Sequence, residues 1–193
     1  MSDTVSFFRA WMSNPLRVAS IVPSGQALAE GITREIGFDQ APVIELGPGT
    51  GVFTRQLMEN GVPEDRLVLI EYGANFATLL RNRFPKSTVL QADAAAALSQ
   101  QFKVGKAGAV VSGLPILSMP TRQAFAILDG AFRNLRPGGA FYQFTYSLRC
   151  PVSRYVLDQL DLKAQRISWV LANVPPAQIY RFTKRRPRSA EQV

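Results

Sequence analysis

Short apolar runs alternate with helical periods along most of the chain. The runs fall at 42–46, 67–70, 88–90, 109–112 and 140–146. They are continuously hydrophobic, as parallel strands covered on both faces must be. Between them the spacing becomes helical, most clearly at 121–135, where Phe125, Leu128, Phe132 and Leu135 share one face. Thr121 after Pro120 opens that helix, and Arg136-Pro137-Gly138-Gly139 stops it. The last two runs, 166–174 and 177–183, are separated by Pro175-Pro176. That link is too short for a helical crossover, so the two pair as an antiparallel hairpin. The pattern predicts an α/β fold: a mostly parallel sheet, helices on both faces, and an antiparallel last strand.

Composition changes the picture in three ways. At 193 residues and 47% apolar, the chain fits one well-filled domain. It has no histidine, which excludes a Ser-His-Asp triad, histidine-ligated zinc and imidazole proton shuttling. Cys150 is the sole cysteine, so no internal disulfide or paired-cysteine metal site is expected, and no metal at all. The net charge of +8, carried by 17 Arg and 5 Lys, points to polyanionic partners. With no run of 18 apolar residues and no cleavable leader, the expected location is the cytoplasm.

Two ends stand apart. At about 100° per residue, Val5, Phe7, Phe8, Trp11 and Met12 fall on one side of a short helix, with Ser6, Arg9, Ala10 and Ser13 opposite. Such a segment reads as interfacial, so residues 1–23 are expected to touch a membrane and residues 24–193 to form the domain. At the other end, residues 181–188 carry five basic groups.

The chemistry-bearing signal is VIELGPGTG at 43–51, a strand running into glycines at 47, 49 and 51. Glycine permits the positive φ of so tight a turn and the close approach of a ligand. The spacing is not the dinucleotide G-x-G-x-x-G, and no Gly-Lys-Ser/Thr follows for a phosphate. Glu45, just before the glycines, would repel a pyrophosphate and suits a cationic amino-acid moiety. Glu71 ends the second strand, where a carboxylate accepts ribose hydroxyls. Asp93 follows the third, where it can accept an adenine amino group or cap a helix.

These segments, with LVLIEY (67–72), QADA (91–94) and LRPGGAFYQF (135–144), resemble the ordered motifs of class I S-adenosylmethionine-dependent methyltransferases over roughly residues 42–184. The resemblance implies a Rossmann-like, seven-stranded sheet and S-adenosylmethionine as cofactor, leaving as S-adenosylhomocysteine. It implies Gly47, Gly49 and Gly51 at the methionine end, Glu71 on the ribose and Asp93 on the adenine. Glu45, Thr50, Tyr72, Ala94 and Ser112 complete the implied cofactor-binding set.

The substrate is addressed by SGLPILSMP at 112–120. Enzymes acting on planar amines carry Asn or Asp, then proline, then a stacking aromatic at this strand end. Here Pro115 remains, holding Leu114 extended with its carbonyl available to an amine, but the Asn and the aromatic are gone. Together with VASIVPSG (18–25) and NVPPAQIYRF (173–182), the segment resembles bacterial phospholipid N-methyltransferases. That resemblance implies one to three methylations of the phosphatidylethanolamine amine, towards phosphatidylcholine, at the inner face of the cytoplasmic membrane. It implies a phospholipid substrate, an anionic membrane surface and no nucleic acid. Tyr180 and Arg181 are then expected at the headgroup, since a guanidinium fork matches a phosphodiester. An alkyl ammonium with a pKa of about 10.4 must lose a proton before attack. Tyr146 is the expected hydrogen-bonding partner, beside Leu114. The rivals are an RNA adenine N6-dimethyltransferase, which would want Asn-Leu-Pro-aromatic at 112–116, and a non-catalytic membrane- or nucleic-acid-binding module, which would have no use for an adenosine pocket.

Overall fold

The computed structural model describes residues 22–172 and 175–185. The N-terminal arc of Val5, Phe7, Phe8, Trp11 and Met12, and the tail beyond Arg185, lie outside them. The boundary drawn at residue 23 falls just inside the first described helix, α1 (Val22–Thr33).

Strand and helix then alternate: β1 (Val43–Leu46), α2 (Val52–Glu59), β2 (Leu67–Glu71), α3 (Ala74–Arg83), β3 (Thr88–Gln91), α4 (Ala94–Leu98), β4 (Ala107–Ser112), α5 (Thr121–Asn134), β5 (Leu135–Thr145), α6 (Arg154–Gln159), β6 (Leu162–Val170) and β7 (Ala177–Lys184). The seven strands form one sheet in the order β3-β2-β1-β4-β5-β7-β6. β1 to β5 run parallel to one another, and β7 runs antiparallel between β5 and β6. Every residue of β1, β2 and β4 is buried, which is why their sequences show no alternation. Ile44, Val110, Phe141 and Phe182 face α4, α5 and α6, packing with Leu98, Leu128 and Val156. Val43, Leu69, Val111 and Ile179 face the other layer, with Leu28, Leu57 and Leu80 from α1, α2 and α3. Each such side chain contributes about 1.5–3 kcal/mol on burial.

Three expectations need correction. The buried stripe of α5 is Ala124, Ile127, Leu128 and Ala131, with Phe125 and Phe132 only partly buried. Close approach selects small residues there: a Cβ on Gly130 would lie 2.7 Å from the Leu98 Cβ. Second, β5 begins at Leu135, not 140. Leu135 pairs with Ala107, and the register then jumps to Ala140 opposite Ala109, so Arg136–Gly139 end the helix and form an irregularity inside the strand. Third, β6 spans Leu162–Val170 rather than 166–174, because its alternating, half-exposed edge pattern extends towards α6.

Candidate active site

The strand order reverses between β1 and β4, and the crevice outside the carboxyl ends at such a switch point is where α/β sheets bind ligands. The glycine turn leaves β1 there, and Gly113-Leu114 leaves β4 beside it. The two loops touch: the Gly113 N–H donates to the Leu46 carbonyl at 2.8 Å, and a Cβ on Gly113 would lie 2.7 Å from the Gly47 carbonyl oxygen.

The three glycines of the turn all have positive φ, at 65°, 55° and 82° for Gly47, Gly49 and Gly51. Their surroundings differ. A Cβ on Gly47 would meet the Leu114 side chain at 2.8 Å and one on Gly51 the Phe84 ring at 2.5 Å, whereas one on Gly49 would meet nothing within 4 Å. Gly47 and Gly51 are therefore packing glycines, and Gly49 borders open space. Arg83 Nη1 donates to the Thr50 carbonyl at 2.8 Å and steadies the turn from α3.

Glu71, at the end of β2, accepts the Gly49 N–H on Oε2 at 3.1 Å and the Gly73 N–H on Oε1 at 2.8 Å. A carboxylate has about four lone-pair sites, so both oxygens retain acceptor capacity for ribose hydroxyls. Tyr72 follows, 77% exposed. Asp93 satisfies both readings of it: Oδ1 caps α4 by accepting the Ala96 N–H at 3.0 Å, and the carboxylate stays exposed. Ala94 is buried in the first turn behind it.

Glu45 is fully buried beneath the turn. Oε2 accepts the Thr54 hydroxyl at 2.6 Å, while Oε1 is buried without a partner. Burial pushes its carboxyl up to about 8 against the Thr54 hydrogen bond, and the Glu71 charge adds to the rise. A cation brought to the turn would favour the charged form. Thr54 was not singled out from the sequence; its signal is a polar residue on the same α2 stripe as Leu57, where burial demands a partner.

At the end of β4, Ser112 is buried and its Oγ accepts the Leu114 N–H at 3.2 Å. The Leu114 carbonyl, expected to be available to an amine, is not. It accepts the Ile116 N–H and Gln143 Nε2, each at 2.9 Å. Pro115, at φ −80° and ψ 60°, closes an inverse γ-turn that folds the carbonyl back into the protein. Gln143 also donates to the Phe144 carbonyl, leaving its Oε1 buried without a partner. Its signal was one polar residue within an apolar strand.

Tyr146 lies half-buried beyond β5, edge-on to Phe144 at 5.6 Å, and Phe144 is edge-on to Phe53 at 6.1 Å. Tyr180 is level with Ser112 and Gln143 across the sheet, and its hydroxyl bonds Gln178 Oε1 at 3.3 Å. Arg181 does not join it. Successive strand residues point to opposite faces, so Arg181 lies on the α1 side. Its Nη1 holds Glu35 at 3.0 Å and its Nη2 holds Gln165 at 2.9 Å. It lines a cavity with Glu35, Arg136 and Tyr142 that reaches the strands' amino-terminal edge. There burial and the Glu35 carboxylate push the Tyr142 hydroxyl up to about 12. The expected pairing of Tyr180 and Arg181 on one headgroup is thus corrected.

A switch-point crevice with a bare glycine, a ribose-competent carboxylate and a buried acid lacking one partner fits a nucleoside carrying a cationic tail, which defines the site of a nucleoside-dependent group-transfer enzyme. The chain belongs to the class I S-adenosylmethionine-dependent methyltransferases: residues 43–139 match the family described as a methyltransferase domain. It is 32% identical over 151 residues to an ornithine lipid N-methyltransferase of Singulisphaera acidiphila, matching 75% of this chain and 79% of the relative. A TehB-like SAM-dependent methyltransferase from Corynebacterium glutamicum superposes with a TM-score of 0.63 at 13% identity, over 92% of this chain and 100% of the other. The glycopeptide N-methyltransferase MtfA, complexed with S-adenosylmethionine, gives 0.62 at 14%, over 83% and 94%. These two likenesses establish the fold. The cofactor is S-adenosylmethionine.

Proposed function

We propose that this enzyme methylates the primary amine of a phosphatidylethanolamine headgroup, in one to three rounds towards phosphatidylcholine, at the inner face of the cytoplasmic membrane. The reading is carried by the end of β4. Ile116, where a stacking aromatic would hold a planar amine, is 2% exposed and packed into the core, and Leu114 covers the glycine turn. The end of β4 offers apolar walls and, at position 116, an aliphatic residue instead of a stacking aromatic, which suits a flexible alkyl amine. The relative named for methylating an ornithine lipid supports the same class of acceptor, a lipid-borne amine.

Bound S-adenosylmethionine supplies an electrophilic methyl group on a sulfonium. Glu71 and Asp93 would hold the nucleoside by accepting hydrogen bonds, and Glu45, buried beneath the turn, would set the negative charge nearest the cationic tail. Leu114 and the edge-on Phe53, Phe144 and Tyr146 would exclude water beside them, which favours the neutral amine over the ammonium, its proton passing to bulk water before the amine is enclosed. Most of the acceleration then comes from holding amine and methyl in line. In this reading the first fourteen residues add a membrane contact.

The test is incubation with methyl-labelled S-adenosylmethionine and, separately, phosphatidylethanolamine vesicles, ornithine lipid vesicles and RNA. We expect label in the ethanolamine lipid, migrating as its methylated forms. Label confined to the ornithine lipid would transfer the assignment to that headgroup, and label in RNA alone would end the lipid reading.

A further inference from the structure

Among the described residues, six large apolar side chains are exposed along the edge that carries the active site: Tyr72 after β2, Leu117 after β4, Leu148 after β5, Tyr155 in the first turn of α6, and Trp169 and Leu171 at the end of β6. Phe38, before β1, is exposed at the opposite edge. The densest part of the rim has a simple origin. Thr145, Gln178 and Trp169 lie in one row across β5, β7 and β6. Leu148 and Leu171, 80% and 74% exposed, extend just past that row from strands two spacings apart, about 10 Å. Water is a poor solvent for such a group of side chains, and a monomer rarely gathers them without a partner.

Around the β5 and β6 ends of the rim the charge is mostly basic, with Arg154 held by Asp158 at 3.8 Å, whereas Asp93 is exposed at the β3 end. Residues 146–157 and 166–180 contain Arg149, Arg154 and Arg166 and no Asp or Glu. Arg166 lies with its guanidinium 5.1 Å from the Trp169 ring centroid. Apolar tips, an amphipathic indole and neighbouring arginines are the features of a surface that enters a headgroup layer.

We propose that this edge docks on an anionic phospholipid surface, with Leu148, Trp169 and Leu171 reaching the acyl boundary and Arg149 and Arg166 among the phosphates. The inference rests on the lipid reading above and deepens it: the crevice opens at the same edge, so a headgroup amine reaches it without the lipid leaving the interface. It is independent of the first fourteen residues.

The full-length chain with Trp11→Phe retains Trp169 as its sole tryptophan. We expect the Trp169 emission to shift blue on vesicles of phosphatidylethanolamine with phosphatidylglycerol, and to be quenched by shallowly brominated lipid. The double variant Leu148→Glu, Leu171→Glu places charge at positions that touch no core. It should bind those vesicles at least tenfold more weakly and methylate them correspondingly slowly. Its S-adenosylmethionine affinity, and its turnover of a short-chain phosphatidylethanolamine below micelle formation, should match the parent. Turnover of that monomeric lipid tests the substrate reading separately. Failure of the parent to sediment with the vesicles, unmoved Trp169 emission on vesicles that do sediment it, or undiminished vesicle binding by the double variant would each overturn the docking face. So would a dimer that the double variant dissociates while still binding vesicles, which would assign the rim to a second copy of the chain.

Discussion

Glu45 concentrates the site's electrostatics in one carboxyl. Burial raises it from an ordinary 4.5 to about 8, so the folded apo-protein binds a proton that the unfolded chain releases. Its contribution to stability is fully present below the unfolded value and is lost as pH rises through about 8. The slope across that window is at most about 1.4 kcal/mol per pH unit. Urea unfolding of the apo-protein should therefore show stability falling from pH 5 to 8.5, with Glu45→Gln flattening the dependence, because the amide keeps an acceptor and cannot ionise. A cationic cofactor favours the carboxylate, so binding near pH 7 should release a proton. Calorimetry in buffers of different ionisation enthalpy reads that release, and equal heats in all buffers would remove Glu45 from the cofactor's charged end.

The glycine turn behaves as an element rather than as three equivalent glycines. Only Gly49 borders open space, so Gly49→Asn, a side chain that tolerates its φ of 55°, should leave the sheet folded, fill the place of the ligand and reduce cofactor affinity at least a hundredfold in titration calorimetry. Gly51→Ala should act oppositely. Its Cβ would sit 2.5 Å from Phe84 at a φ of 82°, costing about 1–3 kcal/mol of stability through overpacking and strain while affinity in the folded fraction changes less. Thermal unfolding and calorimetry on both variants separate the two roles. Equal loss of affinity with equal loss of stability would show that the turn has no such division. The spacing of the glycines was legible in the chain; which one meets the ligand was not, since Leu114 and Phe84 arrive from β4 and α3.

At the scale of the whole molecule, Arg181 binds layers together. Its fork spans Glu35, just past α1, and Gln165 on β6, with both members of the ion pair about two-thirds buried at the side chain. Arg181→Met should therefore cost about 1–2 kcal/mol of stability, less than a fully buried charged hydrogen bond, and leave lipid turnover per folded enzyme unchanged. Chemical denaturation together with vesicle kinetics checks this. Intact stability with a collapsed lipid rate would restore Arg181 to the headgroup. The whole molecule also explains the exposed rim: one edge carries crevice, apolar tips and arginines because the parallel strands end there together.

Continuous apolar runs sufficed to locate β1, β2 and β4, because strands buried on both faces leave no polar alternation to confuse the reading. The glycine turn, Glu71 and Asp93 were equally legible, since each follows a strand end and local chain order alone brings it to the crevice. Burial and pairing over long separations belong to the tertiary structure. The α5 stripe moved because Leu98 demanded small neighbours. Gln143, 29 residues from Leu114, took the carbonyl that local geometry left to a substrate. Glu35, 146 residues from Arg181, claimed the guanidinium. Spacing along the chain reports which groups share an edge; only packing decides which of their hydrogen bonds are already spent.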